Sequence, residues 1–129
     1  MEIGPQIRRG RRDDRARAES RAVLARYGLG AEAEGMYPFE LSGGMARRAL
    51  IAAAVAERPK LIIADEPTPG LDARAAGRIL GHFRELAEEG AGVLLITHDL
   101  ELALTIAHRV LVLYAGETIE EADAADFAA

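Results

Sequence analysis

The sequence predicts an α/β fold with a short parallel sheet. Residues 61–64 (LIIA) and 93–96 (VLLI) are apolar runs without polar alternation, which is typical of strands buried on both faces. The segment between them, residues 72–89, has apolar side chains at 3.6-residue spacing: Ala76, Ile79, Leu80, Phe83 and Leu86. A strand, a helix and a second strand of these lengths predict a parallel pair joined by a right-handed crossover.

The residues before these strands predict two helices. Residues 1–12 show no periodicity, so we expect a loose or extended entry. Residues 13–27 favour a helix that ends at Gly28, and its predicted apolar contacts are Ala18, Ala22, Val23 and Tyr27. After a connection through Pro38, Ser42 is the predicted N-cap of a helix that runs to about residue 57.

The residues after the strands predict a helix and a hairpin. Asp99 predicts the start of a third helix, to about residue 108, followed by a strand at residues 110–114. A turn at residues 115–116 then returns residues 117–121 as the antiparallel partner. Residues 122–129 have little to bury, so we expect a short helical or frayed end.

Composition narrows the function classes. The 129 residues, half of them hydrophobic, suffice for one domain with a core. The absence of cysteine excludes disulfides, thiolate metal sites and thiol nucleophiles. The sequence contains neither an apolar run approaching the roughly 20 residues that span a bilayer nor a signal peptide, so we expect a cytoplasmic chain.

Charge is unevenly distributed along a chain of net charge -5. Half of the 16 basic residues lie between Arg8 and Arg26, a pattern that can indicate nucleic-acid binding. Asp13, Asp14 and Glu19 interleave with these arginines, however, which favours a solvated helix face. We therefore predict no nucleic-acid partner.

Three short segments carry chemistry suited to phosphate. The first is residues 41–44, LSGG, at the start of a predicted helix. Gly43 and Gly44 allow backbone amides to approach an anion closely, and the positive end of the helix dipole favours negative charge there. Ser42 could donate to a phosphate or could simply cap the helix, and these four residues alone do not distinguish the two.

The second segment is LIIADEP, residues 61–67. An apolar strand that ends in two acids brings both carboxylates to the carboxyl edge of a parallel sheet, where α/β folds bind ligands. Asp65 can hold Mg²⁺, commonly through a water, and Glu66 can deprotonate an attacking water. The alternative is a turn or helix capped by acids.

The third segment is LLITHD, residues 94–99, which places Thr97 and His98 at the same sheet edge. A single histidine at a strand end is usually structural. Next to Asp65 and Glu66, however, His98 is predicted to donate a hydrogen bond near a terminal phosphate. The other two histidines, His82 and His108, are predicted to be packing or surface residues.

The order LSGG, apolar strand, ADEPTPGLD, apolar strand, ITHD resembles the ATP-binding cassette family, the ATPase subunits of ABC transporters. Residues 41–44 resemble its signature, residues 61–66 its Walker B strand with the catalytic glutamate, residues 70–72 its D-loop and His98 its switch histidine. The resemblance implies a partial P-loop NTPase fold of parallel strands with crossover helices and a C-terminal β-hairpin. Residues 1–57 would then belong to the helical subdomain and residues 58–129 to the ATPase core.

The resemblance also implies partners and cofactors. Two such domains associate head to tail, so Ser42, Gly43 and Gly44 would grip the γ-phosphate of an ATP held mainly by a second ATPase chain. Asp65 would position Mg²⁺, Glu66 would be the general base, His98 would sense the γ-phosphate and Asp72 would couple the two sites. Transmembrane permease subunits would hold the chain at the inner face of the cell membrane.

The flanking sequences resemble one branch of this family, the oligopeptide, dipeptide and nickel importers. The segments that carry this finer resemblance are EIGPQI, YPFELSGGM and LYAGETIEE. Two residues depart from the branch: Arg47 replaces a usual glutamine and could be harmless on the solvent face of its helix, and Pro69 replaces threonine, serine or alanine. Pro69 is predicted to stiffen the approach to the D-loop.

The sequence lacks the family's P-loop, adenine-stacking aromatic residue and glutamine loop. Its one lysine, Lys60, precedes the first strand, at the sheet edge opposite the acids. We therefore predict that the chain alone neither hydrolyses ATP nor binds it tightly, and that it is marginally stable, oligomeric or dependent on a partner. The alternative is a non-catalytic module that supplies the signature surface to a complete ATPase; a lobe of a chromosome-maintenance ATPase is disfavoured by the glycines before residue 41.

Overall fold

The computed structural model describes residues 1–127. Its first part contains three α-helices and two short 3₁₀ turns: α1 (Ile3–Ile7), α2 (Asp14–Arg26), the turns Ala31–Gly35 and Pro38–Glu40, and α3 (Gly43–Val55). Its second part contains β1 (Leu61–Asp65), α4 (Ala73–Glu88), β2 (Gly92–Ile96), α5 (Leu100–Ile106), β3 (Arg109–Tyr114), β4 (Glu117–Asp123) and α6 (Ala124–Phe127). Within residues 1–127, no helix combines the length and the apolar character needed to cross a membrane.

The predicted helix starts are confirmed by side-chain caps. Asp13 accepts a hydrogen bond from the amide of Ala16 at 2.8 Å, and Ser42 accepts one from Met45 at 3.3 Å. Asp72 and Asp99 cap α4 and α5 in the same way. Each cap satisfies one of the amides that the first turn of a helix leaves without an intrahelical partner.

The loose entry predicted for residues 1–12 is wrong, because Ile3–Ile7 forms α1. The amide of Ile3 donates to the carbonyl of Met36 at 2.9 Å, and both Ile3 and Ile7 are buried. A five-residue helix is too short to be stable by itself or to show periodicity in the sequence. Packing of its two isoleucines against the rest of the helical part accounts for its formation.

The predicted contact face of α2 is also wrong in part. Ala18 and Ala22 are exposed, and Val23 is half-buried. The helix instead buries residues that recur at intervals of about four: Ala16, Ser20, Leu24 and Tyr27. Alanines occur all around this helix, so apolar residues alone did not fix its orientation, and the buried serine concealed the true face.

Strands β1 and β2 form the predicted parallel pair, with Leu61 opposite Gly92 and Asp65 opposite Ile96. Helix α4 connects them and buries almost the predicted face, with Ala75 taking the place expected for Ala76. The prediction that both strands are buried on both faces is wrong: burial alternates along β1, where Ile62 is 7% exposed and Ile63 is 63% exposed.

Strands β3 and β4 form a separate antiparallel hairpin. Ala115 and Gly116 both have positive φ, 49° and 82°, as a tight hairpin turn of type I′ requires. The pairing extends two residues beyond the predicted residues 117–121 and is followed by α6. Of the predicted short helical end, residues 128–129 lie outside the described part of the chain.

The core lies between the helices and the parallel pair. Its largest fully buried side chains are Tyr27, Leu24, Ile79 and Phe83, which come from α2 and α4 and the residue that follows α2. Ile62 and Ala64 of β1 and Ala49, Ala52 and Val55 of α3 belong to the same cluster. The core therefore joins the helical part to the strands that carry the acids and the histidine.

One apolar region is left uncovered by the described residues. A groove of about 500 Å³, which we call the α3–β1 groove, runs between these two elements, and Leu50, Ile51, Ile63 and Arg47 contribute to its walls. Leu50 is 71% exposed, and among residues 1–127 no strand pairs with the second edge of β1. An uncovered apolar groove beside an open strand edge is typical of a surface that another polypeptide segment covers.

Two neighbouring isoleucines test this description of β1. We expect Ile62→Ala to lower the free energy of unfolding by about 2–5 kcal/mol, because it opens a cavity in the core. Ile63→Ala, its matched control, should change it by less than about 1 kcal/mol, since its side chain is already in water. Urea unfolding followed by circular dichroism measures both, and equal effects would show that β1 is covered on both faces.

Candidate functional site

The parallel pairing brings the predicted site residues to one edge of the sheet. Asp65 is the last residue of β1, and the amide of Glu66 extends the ladder by donating to the carbonyl of Ile96 at 2.9 Å. Thr97 and His98 follow β2 directly. Lys60 precedes β1 and lies at the opposite end of that strand, as its sequence position predicts.

Glu66 and His98 are in direct contact. One carboxylate oxygen of Glu66 lies 2.6 Å from the ring nitrogen Nδ1 of His98 and accepts a hydrogen bond from the main-chain amide of His98 at 3.0 Å. The hydroxyl of Thr97 lies at 3.5 Å from the other carboxylate oxygen. The carboxylate is therefore held in place by the residues that follow β2, while the His98 side chain remains 84% exposed.

This contact shifts both pKa values in the direction of an ion pair. The hydrogen bond from His98 lowers the pKa of Glu66 below its ordinary value of 4.5, although partial burial opposes the shift. The same hydrogen bond raises the pKa of His98 above its ordinary value of 6.5. Glu66 is consequently ionised at neutral pH, as a proton acceptor must be.

The backbone of Glu66 adopts an uncommon conformation. Its φ is 45°, in the left-handed region that residues with a Cβ avoid at a cost of about 1–2 kcal/mol. Such conformations persist where surrounding contacts fix them, and they are frequent at functional sites. Here the contacts are the amide bond to Ile96, the side-chain contacts to His98 and a contact from Arg47 to the Glu66 carbonyl.

Asp65 is exposed at the end of β1. Within residues 1–127, no group of three or more histidine, cysteine or acidic side chains is arranged to hold a metal ion. A single exposed carboxylate is a ligand that Mg²⁺ can use, because this ion commonly takes one or two protein carboxylates and completes its shell with waters and substrate phosphates. Asp65 is thus suited to hold Mg²⁺ together with a phosphorylated ligand.

The loop before α3 presents an exposed helix start. Ser42 and Gly43 are exposed, and the Ser42 hydroxyl accepts from Met45 while keeping its own proton available as a donor. A Cβ at Gly44 would lie 3.6 Å from the side chain of Leu71. This is an ordinary van der Waals distance, so residues 42–44 lie beside the turn that leads into α4.

That turn is built from Thr68, Pro69, Gly70 and Leu71. The amide of Leu71 donates to the carbonyl of Thr68 at 3.1 Å, and Gly70 has φ +79°, as the third residue of a type II turn requires. Proline is favoured at the second position of this turn, so the local backbone conformation accounts for Pro69. Asp72 follows, and its hydrogen bond from the amide of Ala75 lowers the pKa of its carboxyl.

Sequence reasoning missed Arg47, which was predicted to lie on the solvent face of its helix. The prediction is wrong: Arg47 is half-buried in the wall of the α3–β1 groove, and its Nη1 donates to the main-chain carbonyl of Glu66. A pair of adjacent arginines within a helix rich in alanine and aliphatic residues was the available signal. Arg47 thus connects α3, the helix that residues 42–44 begin, to the main chain of Glu66.

The other two histidines lie away from this edge. His82 of α4 contacts the hydroxyl of the buried Tyr27, and burial lowers the pKa of His82 to about 4. His108 is exposed beyond the end of α5. These positions confirm the predicted packing and surface roles. Three of the four arginines of α2 contact carboxylates: Arg15 contacts Glu19 at 3.0 Å, Arg21 contacts Glu34 at 2.9 Å, and Arg26 contacts Glu85.

Comparisons with known proteins agree on one family. Residues 3–69 match the ABC transporter family profile. The dipeptide transport ATP-binding protein DppD of Escherichia coli is 49% identical over 90 residues, which are 69% of this chain and 28% of DppD. The L-cystine transport system ATP-binding protein TcyN of the same organism is 38% identical over 118 residues, 92% of this chain and 47% of TcyN.

The fold is similar to solved ATP-binding cassettes. A dimeric, post-hydrolysis structure of the cassette MJ0796 bound to ADP and Pi superimposes with a TM-score of 0.85 and 26% sequence identity, over 96% of this chain and 57% of that one. These neighbours confirm the predicted partial P-loop NTPase fold. The chain spans 28% to 47% of the length of the two curated relatives described above.

The contact between Glu66 and His98 predicts how the His98 ring titrates. We expect Glu66→Gln to move the pKa of His98 back towards 6.5, because the substitution removes the carboxylate that stabilises the imidazolium. Proton NMR titration of the ring signals measures this shift. His82 is the internal control, since it lies on α4 and its titration should not change; an unaltered His98 titration would contradict the pairing.

The Glu66–His98 pair also contributes to the way stability varies with pH. The raised pKa of His98 adds stability that is fully present below 6.5 and is lost as the pH rises through the higher folded value. The lowered pKa of Glu66 adds stability that is present above 4.5 and is lost as the pH falls through the lower folded value. The stability advantage of wild type over Glu66→Gln should therefore be greatest between pH 4.5 and 6.5, as measured by urea unfolding.

Proposed function

Because the chain belongs to the ABC transporter family, we propose that it forms the signature and Walker B part of an ATP-hydrolysing transporter subunit. The observation that carries this proposal is the contact between Glu66 and His98 at the edge that also holds Asp65. A base, a hydrogen-bond donor and a metal-binding carboxylate at one sheet edge are the groups that water attack on a phosphoanhydride needs.

Each residue has a distinct role in this proposal. Glu66 accepts the proton of the attacking water, and Asp65 would hold a Mg²⁺ ion that would supply positive charge to neutralise the phosphates. In the structure, the His98 ring contacts the Glu66 carboxylate. When its ring turns to a terminal phosphate, the carboxylate regains its basicity and can accept the proton. The position of the His98 ring therefore links the presence of a terminal phosphate to the availability of Glu66 as the base.

Residues 42–44 serve a nucleotide held by another chain. Ser42 and Gly43 are exposed and stand at the amino end of a 13-residue helix, where free amides and the helix dipole favour a phosphate. Asp72, beside this loop, is proposed to couple the two nucleotide sites. The dimeric state of the MJ0796 cassette supports a second ATPase chain as the partner.

The P-loop must come from polypeptide other than the segments described here. The sequence has one lysine, Lys60, and it stands at the wrong end of β1 for a phosphate at the acids. We propose that the strand and loop that grip the nucleotide cover the α3–β1 groove, whose exposed apolar walls suit a packed segment. The chain alone is accordingly inactive.

The division at residue 57 forms part of the same proposal. Residues 1–57 contain α1, α2 and α3 and supply the signature, whereas residues 58–129 contain the strands of the ATPase core. Permease subunits in the membrane would hold the completed cassette at the inner face of the cell membrane. This placement is supported by the transport roles in the names of the relatives.

For the transported solute, we propose a peptide. The oligopeptide transport ATP-binding protein OppD of Escherichia coli is 48% identical over 92 residues, close to the value for DppD. The histidine transport ATP-binding protein HisP of Pseudomonas aeruginosa, 40% identical over 121 residues, supports amino-acid import as the alternative. The relatives described here give no support to nickel.

Completion of the cassette tests the proposal. We expect no ATP hydrolysis from the chain alone, and Mg²⁺-dependent hydrolysis when a P-loop-bearing amino-terminal segment of a relative such as DppD is fused to it or mixed with it. Glu66→Gln should then lower kcat by about 10²- to 10⁴-fold while ATP still binds, because only the base is removed. Phosphate release and binding of a fluorescent ATP analogue are the measurements.

The comparison variant is Ser42→Ala, which removes the signature hydroxyl and the cap of α3 but keeps the side chains of Asp65, Glu66 and His98. Its effect should appear only in the two-site dimer, since the loop serves the partner's nucleotide. A completed cassette that binds ATP and never hydrolyses it would support the non-catalytic module instead. Hydrolysis unaffected by Glu66→Gln would exclude Glu66 as the base.

A further inference from the structure

Arg47 connects helix α3 to Glu66, the second of the two acids that follow β1. It lies on α3, one turn after the exposed residues 42–44, and its guanidinium reaches across 19 residues of sequence to the main-chain carbonyl of Glu66. The neighbouring Arg48, on the same helix, points elsewhere and donates to the carbonyls of Tyr27 and Gly28 at 3.1 and 2.8 Å. Two adjacent arginines thus make different connections.

The contact falls on a main-chain carbonyl whose position depends on the left-handed conformation of Glu66, φ 45°. The amide of Glu66 is fixed by Ile96, and its carboxylate by His98. Arg47 fixes the remaining polar group of this residue. A charged donor on a partly buried carbonyl is among the stronger hydrogen bonds of a protein, so its removal should release the segment locally.

We propose that Arg47 is a positioning residue that holds Glu66 in its left-handed conformation from the helix that begins at the signature loop. The proposal rests on the function proposed above, in which Glu66 is the base. It adds a mechanical link: any displacement of α3 when residues 42–44 contact a nucleotide is transmitted to the main chain of Glu66. One arginine then connects the nucleotide held by the partner to the base of this chain.

Amide hydrogen exchange followed by NMR tests the link without nucleotide. The two reporters are the amide of Glu66, which donates to Ile96, and the amide of His98, which donates to the Glu66 carboxylate. Arg47→Met keeps the apolar stem in the α3–β1 groove and removes the donor. We expect both reporters to exchange about tenfold faster, with the core amides of α4 unchanged.

Arg48→Met is the matched control, because it removes the same charge from the adjacent position and should leave both reporters at their wild-type rates. Arg47→Lys retains a charged donor and should retain most of the protection. If Arg47→Met fails to fold, Arg47→Gln replaces it, because its amide ends two bonds short of the guanidinium nitrogens.

Three exchange results would overturn the proposal: unchanged reporters in Arg47→Met or its replacement, equal acceleration in Arg48→Met, or faster exchange throughout the core. The last would show a structural role only. In the completed cassette, Arg47→Met should lower kcat about tenfold with the KM for ATP unchanged, and an unchanged kcat would also overturn it. A cassette without ATPase activity would defeat the proposed function yet leave the exchange result standing.

Discussion

The parallel pairing of β1 with β2 is the constraint on which the site depends. Its register sets Asp65 opposite Ile96, so the next residue of each strand emerges at the same edge. The amide of Glu66 continues the ladder by one bond, and this bond brings the carboxylate within reach of His98. A register shift of one residue would separate the side chains of Glu66 and His98. It would also move the side chains of the shifted strand to the opposite face of the sheet. Burial of α4 against the core fixes this register, since the helix connects the two strands.

Sequence reasoning predicted the parts of the fold whose signals are local. The helix starts at Asp13, Ser42, Asp72 and Asp99 were predicted correctly because the signals that begin a helix lie within one turn of each other. The site edge was predicted because carboxyl ends of parallel strands always meet. The direct contact of Glu66 with His98, by contrast, depends on the backbone conformation after β1, which no residue pattern specifies.

The failures share a physical cause, which is that tertiary contacts decided the outcome. Helix α1 forms because Ile3 and Ile7 find a buried place, although five residues carry no detectable period. The face of α2 was misjudged because Ser20, a residue that appears polar in the sequence, lies on the buried face. Arg47 was assigned to solvent because long charged side chains usually lie there, whereas a free carbonyl 19 residues away provided a partner.

The exposed faces of β1 and the strained conformation of Glu66 have a common explanation. Ile63 of β1 is 63% exposed, so burial of its side chain would add stability. A segment packed in the α3–β1 groove would bury Ile63 and would close over Arg47, which lines the same groove. Exclusion of water would strengthen the hydrogen bond from Arg47 to Glu66, because the local dielectric falls. Completion of the core and fixation of the base would then be one event.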